Sequence, residues 1–261
     1  MATVLELTDV AFVRNGNRIL DKVSWKVDET DRWVILGPNG AGKSTILQLA
    51  AANTHPSSGA VDVLGERIGR VDVFELRTRI GLAATNLARR IPAHERVGDV
   101  VLTAAYAVTG RWHERYESVD LERAAEVMEA WDLTALSTRT FGTLSDGERK
   151  RVQIARAVMT DPELMLLDEP AGSLDLGARE SLLESLEEYA SSALAPAIVM
   201  VTHHVEEIPP GFTHAMLLAD GAVTAAGPIA EVLTDEHLTA TFGVPLHIEH
   251  EAGRWHATAK H

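Results

Sequence analysis

Gly37-Pro38-Asn39-Gly40-Ala41-Gly42-Lys43-Ser44-Thr45 decides the reading of this chain. The stretch follows the apolar run 34–36 and leads into Ile46-Leu47, so a glycine-rich loop falls between a strand and a helix. Such a loop turns successive main-chain N–H groups inward at a helix start, where the helix dipole adds a favourable potential for anions. The glycines permit close backbone approach. Lys43 can reach the outer phosphates of a nucleoside triphosphate, and the Ser44 hydroxyl can ligate Mg2+.

Outward from this loop, short apolar runs alternate with helical patterns, the rhythm of an α/β domain with a largely parallel central sheet. Upstream, 4–7 and 23–27 read as strands. Downstream, a Pro56-Ser57-Ser58-Gly59 turn precedes a strand over 61–64, and 80–84 reads the same way. The runs 164–167 and 198–202 are apolar at every position, which predicts strands covered on both faces. Between 87 and 143 the strand signal disappears, while 97–108 and 121–133 carry helical periodicity. After residue 202, strands over 213–219 and 223–226 flank Asp220-Gly221, a hairpin by its turn chemistry. A short helix follows, and 246–259 alternates around Glu251-Ala252-Gly253 as a second hairpin. With its phosphate loop the pattern resembles that of P-loop NTPases, which implies an α/β fold with a RecA-like parallel core, an antiparallel β portion and an inserted helical subdomain. Residues 1–86 and 144–235 would form the core, 87–143 the insertion and 236–261 a C-terminal extension.

Two of the buried strands end in candidate chemistry. Leu164-Met165-Leu166-Leu167-Asp168-Glu169 carries two carboxylates to a strand's carboxyl edge, where α/β sheets place their ligands. Phosphoryl transfer asks the protein mainly to position groups and neutralise charge. One acid to hold metal, Asp168, and one to polarise water, Glu169, form a sufficient kit. Taken alone, Asp-Glu-Pro after a strand is an ordinary turn. With the phosphate loop upstream the functional reading prevails. The run 198–202 ends in His203-His204. A lone histidine there is more often structural, but in this combination His203 becomes a γ-phosphate contact. His204 reads as a helix-start residue, and a His-His metal site lacks a third ligand.

Composition narrows the partners. With 261 residues and 46% hydrophobic content the chain can bury a substantial core. Its 24 basic against 38 acidic residues leave a formal charge of -14, which argues against direct nucleic-acid binding or a basic membrane-docking surface. There is no cysteine, so neither a disulfide framework nor a Cys-ligated metal site is available. The opening Met-Ala-Thr-Val-Leu-Glu-Leu-Thr-Asp-Val lacks the layout of a secretion signal, and no window reaches the roughly 18 apolar residues of a membrane span.

Leu144-Ser145-Asp146-Gly147-Glu148 resembles the Leu-Ser-Gly-Gly-Gln signature of ATP-binding-cassette ATPases. Independently, Ser145-x-x-Glu148 is a capping box opening the helix that runs to Met159. Ser173-Leu174-Asp175 is similar to the family's D-loop, and the order of phosphate loop, helical insertion, signature, acidic pair, D-loop and His203 is the family's order. The resemblance covers roughly 3–235. It implies a Mg2+-dependent ATPase producing ADP and phosphate, with catalysis by Glu169, His203 and Lys43. It also implies a head-to-tail homodimer on ATP binding, in which the signature closes over the ATP held by the opposite subunit. Most single-cassette members serve a separate membrane permease, which would place this chain in the cytoplasm or peripherally on the inner face of the membrane. The alternative is a soluble ATPase acting on or regulating a cytosolic partner without a permease.

Departures from the family pattern sharpen the question. Where members stack an aromatic side chain on adenine, the alignment places Arg14. Its guanidinium can stack on a base, or it is a solvated loop residue. Asp146 and Glu148 replace glycine and glutamine, and near a triphosphate they must point outward as helix-terminus groups. The segment 80–86 aligns with the one ending in the Q-loop glutamine, and Thr85 stands in its place. That change, with Ser24-Trp25 and Arg32-Trp33, resembles a branch related to molybdenum-transport accessory ATPases.

Overall fold

A computed structural model of the protein describes residues 2–106, 108–110 and 116–260. The chain opens with β1 (Thr3–Arg14) and β2 (Asn17–Asp28), an antiparallel hairpin far longer than the runs 4–7 and 23–27. Asn15 and Gly16 at its tip both have left-handed backbone, φ 53° and 79°, the turn that matches strand twist. Register shifts break the pairing between Leu7 and Phe12, with Asp9 and Lys22 also left-handed, so bulges hide the alternation in the sequence. β3 (Arg32–Leu36) leads through the glycine-rich loop into α1 (Lys43–Ala50). β4 (Ser58–Val63) and β5 (Glu66–Arg67) then complete a four-stranded antiparallel sheet in the order β2-β1-β4-β5.

A short α2 (Val73–Thr78) precedes β6 (Ile80–Ala83), and α3 (Thr85–Ala88), α4 (Val97–Leu102), α5 (Ser118–Ala130) and α6 (Asp146–Val158) follow it. The periodicity over 97–108 does not give one helix. α4 stops at Leu102 and a 3-10 turn spans Thr103–Tyr106, while Ala107 and residues 111–115 of the expected insertion lie outside the described residues. α5 starts ahead of the periodic stretch 121–133, because Glu117 and Asp120 cap its first turn reciprocally.

From there β7 (Leu164–Asp168), α7 (Leu176–Ser191), β8 (Ala197–Val201), β9 (His214–Ala219) and β10 (Ala222–Pro228) complete the second sheet. Its six strands run in the order β10-β9-β3-β8-β7-β6, parallel throughout except for β10 at one edge. Alternate residues of its central strands feed two separate cores. Val34, Leu36, Met165, Leu167 and Met200 face α4, α5, α6 and α7, whereas Ile35, Leu164, Leu166 and Val199 face α1 and the antiparallel sheet. Coverage on both faces is why these strands are apolar at successive positions. Each fully buried aliphatic side chain contributes about 1.5–3 kcal/mol. Trp25 and Trp33, edge to face at 5.3 Å, belong to the second of these cores, and buried Arg32 donates to the carbonyls of Ala190 and Ala195.

The chain ends with α8 (Ile229–Val232), α9 (Asp235–Phe242) and a hairpin of β11 (Leu246–Glu251) and β12 (Arg254–Ala259). Arg254 fastens this hairpin to the core through Glu180 at 2.7 Å and the carbonyl of Glu206 at 2.6 Å. Among the described residues no helix is long and apolar enough to cross a membrane.

Candidate active site

The glycine-rich loop leaves the carboxyl end of β3 in a backbone course that only glycine tolerates at two points. Gly37 has φ 153°, and a Cβ there would sit 2.0 Å from the carbonyl oxygen of Leu218. Gly42, φ 105°, passes so close to β2 that a Cβ would lie 2.6 Å from Leu20 Cδ2. Asn39 and Gly40 are exposed at the tip, and the Ala41 amide closes back onto the Pro38 carbonyl at 3.2 Å. Lys43 is buried and folds over its own loop, donating to the carbonyls of Gly37 at 2.6 Å and Pro38 at 2.9 Å. Burial pulls its pKa down, and the nearby Glu169 and Asp168 carboxylates oppose that pull. Thr45 lies in the first turn of α1, its amide donating to the Gly42 carbonyl at 3.0 Å.

β7 runs two positions from β3 in the sheet and delivers its acids beside this loop. The Ser44 hydroxyl donates to Asp168 Oδ1 at 3.1 Å, across 124 residues of sequence. Burial raises the Asp168 pKa above the usual aspartate value, moderated by the Ser44 hydrogen bond. Glu169 follows with left-handed backbone, φ 50°, and its amide donates to the Val201 carbonyl at 2.9 Å. Its Oε1 lies 3.2 Å from Nδ1 of His203, which β8 carries to the same edge. His204 is exposed and precedes a 3-10 turn, Val205–Glu207, without capping it through its side chain.

The signature stretch is divided by burial. Leu144 is packed into the core at 4% exposure, so it anchors the segment, while Ser145 and Asp146 are exposed. The capping box is formed in both directions. The Ser145 amide donates to Glu148 Oε2 at 2.7 Å and the Glu148 amide to Ser145 Oγ at 3.3 Å. Glu148 also meets Arg139 at 3.2 Å, and Asp146 meets Arg149 at 3.3 Å, so both added acids are occupied at the helix start. The Ser145 backbone holds the Glu148 carboxyl below the usual range. Gly147 packs near Ala178, where Asp175 caps α7 by accepting from the Ala178 amide at 3.0 Å. Ser173 is left-handed, φ 69°, and Leu174 packs against the core between them.

Arg14 is exposed at the tip of the β1–β2 hairpin, opposite Asn17, and its side chain has no hydrogen-bond or ion-pair partner among the described residues. The hairpin flanks the loop through Ile19 and Leu20, both beside Gly42. Thr85 is the first residue of α3. It lines a cavity of about 540 Å³ together with Glu169, Ser173, Lys150 and Gln153, whereas Asn86 lines a different cavity on the other side of the segment. Lys150 itself is a residue that sequence reasoning passes over. Its Nζ donates to the Glu169 carbonyl at 2.7 Å, yet in sequence it is one charge in the run Glu148-Arg149-Lys150-Arg151.

A family model described as ABC transporter matches residues 20–172, more than half of the chain. An ABC transporter ATP-binding protein of Bacillus subtilis, YlmA, is 41% identical over 246 residues, 94% of this chain and 93% of that protein. The hemin import ATP-binding protein HmuV of Rhodococcus jostii is 34% identical, spanning 95% of this chain and 83% of its own. In fold, an ATP-binding cassette solved as a dimer with ADP and Pi in a post-hydrolysis state superposes with TM-score 0.75 at 22% identity. That match covers 86% of this chain and 98% of the other.

Proposed function

This chain belongs to the ABC transporter ATP-binding family and hydrolyses ATP, and from that premise we propose that it does so as a Mg2+-dependent homodimer. The observation carrying this reading is the convergence at one sheet edge of the Ser44–Asp168 pair and the Glu169–His203 pair. Main-chain amides of residues 37–45 and the Lys43 ammonium receive the β- and γ-phosphates. Ser44 Oγ and Asp168 Oδ1 are hard oxygen donors on adjoining elements, a donor set that suits Mg2+ completed by substrate phosphate and water. Among the described residues no group of three or more His, Asp or Glu could cage a metal alone. Bound there, Mg2+ would neutralise phosphate charge. Glu169 accepts a proton from the attacking water, and His203 orients that carboxylate while facing the γ-phosphate.

The signature residues Leu144, Ser145, Asp146, Gly147 and Glu148 complete the site of a second copy. No hydrogen bond joins them to residues 37–45 of their own chain among the described residues, and the exposed start of α6 offers amides to an anion. Ser173, Leu174 and Asp175 lie between the two sites. Residues 87–143 act as the arm that carries the signature, on a core formed by 1–86 and 144–235.

A role in transport, with a separate permease and a peripheral position at the membrane, is supported by relatives named for hemin and phosphonates import. It is also supported by a cavity of about 530 Å³ between core and arm. Arg77, Arg90 and Arg156 line it beside Phe74, which is 75% exposed. The reading without a permease draws on Thr85, whose side chain is too short to act as the usual glutamine hinge. The test is assembly. Glu169→Gln protein with ATP should sediment as a dimer, and Ser145→Arg added to it should keep it monomeric. A monomer at every accessible concentration, with activity linear in protein, contradicts the composite site.

A further inference from the structure

Glu169 holds a backbone conformation that a side chain disfavours. At φ 50° a non-glycine residue costs about 1 kcal/mol or more, and persists only where its surroundings fix it. The Glu169 amide is held by Val201 within the sheet. Its carbonyl faces the other way and accepts from Lys150 Nζ at 2.7 Å and from the Gly172 amide at 3.3 Å. The charged bond is the shorter and stronger of these. It comes from α6, a little over one turn beyond Ser145, so one side chain joins the signature helix to the residue bearing the catalytic carboxylate.

The surroundings of Lys150 are selective. Its neighbours in the run point elsewhere, Arg149 to Asp146 and the carbonyl of Gly142, Arg151 to Asp132 and Ser181. Lys150 is turned inward and half-buried. Burial disfavours its charge, while Asp168, Glu169, Glu207 and Asp146 all favour it. Thr85 borders the same cavity, at the position where the resemblance leads one to expect a glutamine. Its hydroxyl makes no hydrogen bond with the described residues.

We propose that Lys150 is the positioning residue for hydrolysis: by donating to the Glu169 carbonyl it locks the left-handed backbone that keeps the Glu169 carboxylate on His203. It thereby ties the catalytic carboxylate to the movement of the signature helix, a link that Thr85 is too short to make. This rests on Glu169 being the base, and the two ideas separate in experiment.

Steady-state ATPase assays on Lys150→Met, Lys150→Arg and Glu169→Gln, alone and combined, test it. Lys150→Met keeps the length of the side chain and removes the donor. It should lower kcat about tenfold or more, the worth of one hydrogen bond from a charged group, with KM for ATP and Tm nearly unchanged. Lys150→Arg should recover most of the loss. In the Glu169→Gln background Lys150→Met should remove nothing further, because its effect passes through that carboxylate. A kcat for Lys150→Met within twofold of wild type would overturn the proposal, and so would equal losses of kcat and Tm in the Met and Arg variants alike. If instead Glu169→Gln turned over at the wild-type rate, the assignment of the base would fail first.

Discussion

The loop leaving β3 and the segment leaving β6 reach the same edge of the same sheet but are fixed by different means. The first is held by its backbone. Gly37 and Gly42 thread between Leu218 and Leu20 with no room for a Cβ, and the carbonyls of Gly37 and Pro38 hold Lys43. The second, from Thr85 onward, is a single short helix. It has no side-chain cap, and exposed Thr85 and Asn86 turn to different cavities. A phosphate cradle must present main-chain amides in one arrangement, so its sequence is constrained residue by residue. A link from the signature helix to the acidic strand end needs only some side chain of sufficient reach, and here Lys150 on α6 supplies it.

That contrast breaks most readily at Gly37. Gly37→Ala forces a Cβ against a backbone carbonyl, so it should destabilise the fold by about 3 kcal/mol and abolish nucleotide binding together. Thermal melts and fluorescent-nucleotide titration read both, and a stable, ATP-binding Gly37→Ala protein would show that the loop is not backbone-limited. An intermediate effect is expected beside the cradle. If Arg14 stacks on the base, Arg14→Ala should weaken ATP binding by about 0.5–2 kcal/mol, and Arg14→Tyr should restore much of it. Equal affinities in the three proteins make Arg14 a solvated hairpin residue. The smallest effect belongs to the second segment. Thr85→Gln should change basal turnover by less than about twofold, because Lys150 already provides the link. A large gain or loss would mean that the segment after β6 carries constraint that its geometry does not display.

Much of the site was legible because its elements are short, punctuated and chemically loaded. The strand-loop-helix at 34–50, the acidic pair after 164–167 and the histidine after 198–201 are each an apolar run ending in an unusual polar residue. Of the β1–β2 hairpin only the runs 4–7 and 23–27 were legible, since the bulges at Asp9 and Lys22 break the period of two, and the turn signal Asn15-Gly16 was passed over. The helix expected over 97–108 was overdrawn, because apolar spacing persists where the backbone tightens into a 3-10 turn. Lys150 left no trace in the sequence. Which charge of a basic run faces inward depends on how α6 is rotated against β7, and no local pattern encodes that.

Catalysis at the end of β7 depends on the Glu169 carboxylate. Nucleotide binding and ATP turnover should be measured side by side for wild type and Glu169→Gln, which keeps the shape of the side chain and removes its charge. Binding should stay within about threefold of wild type while turnover falls by about a hundredfold or more, the usual worth of a positioned base. Turnover at the wild-type rate in Glu169→Gln would contradict the assignment of catalysis to the end of β7.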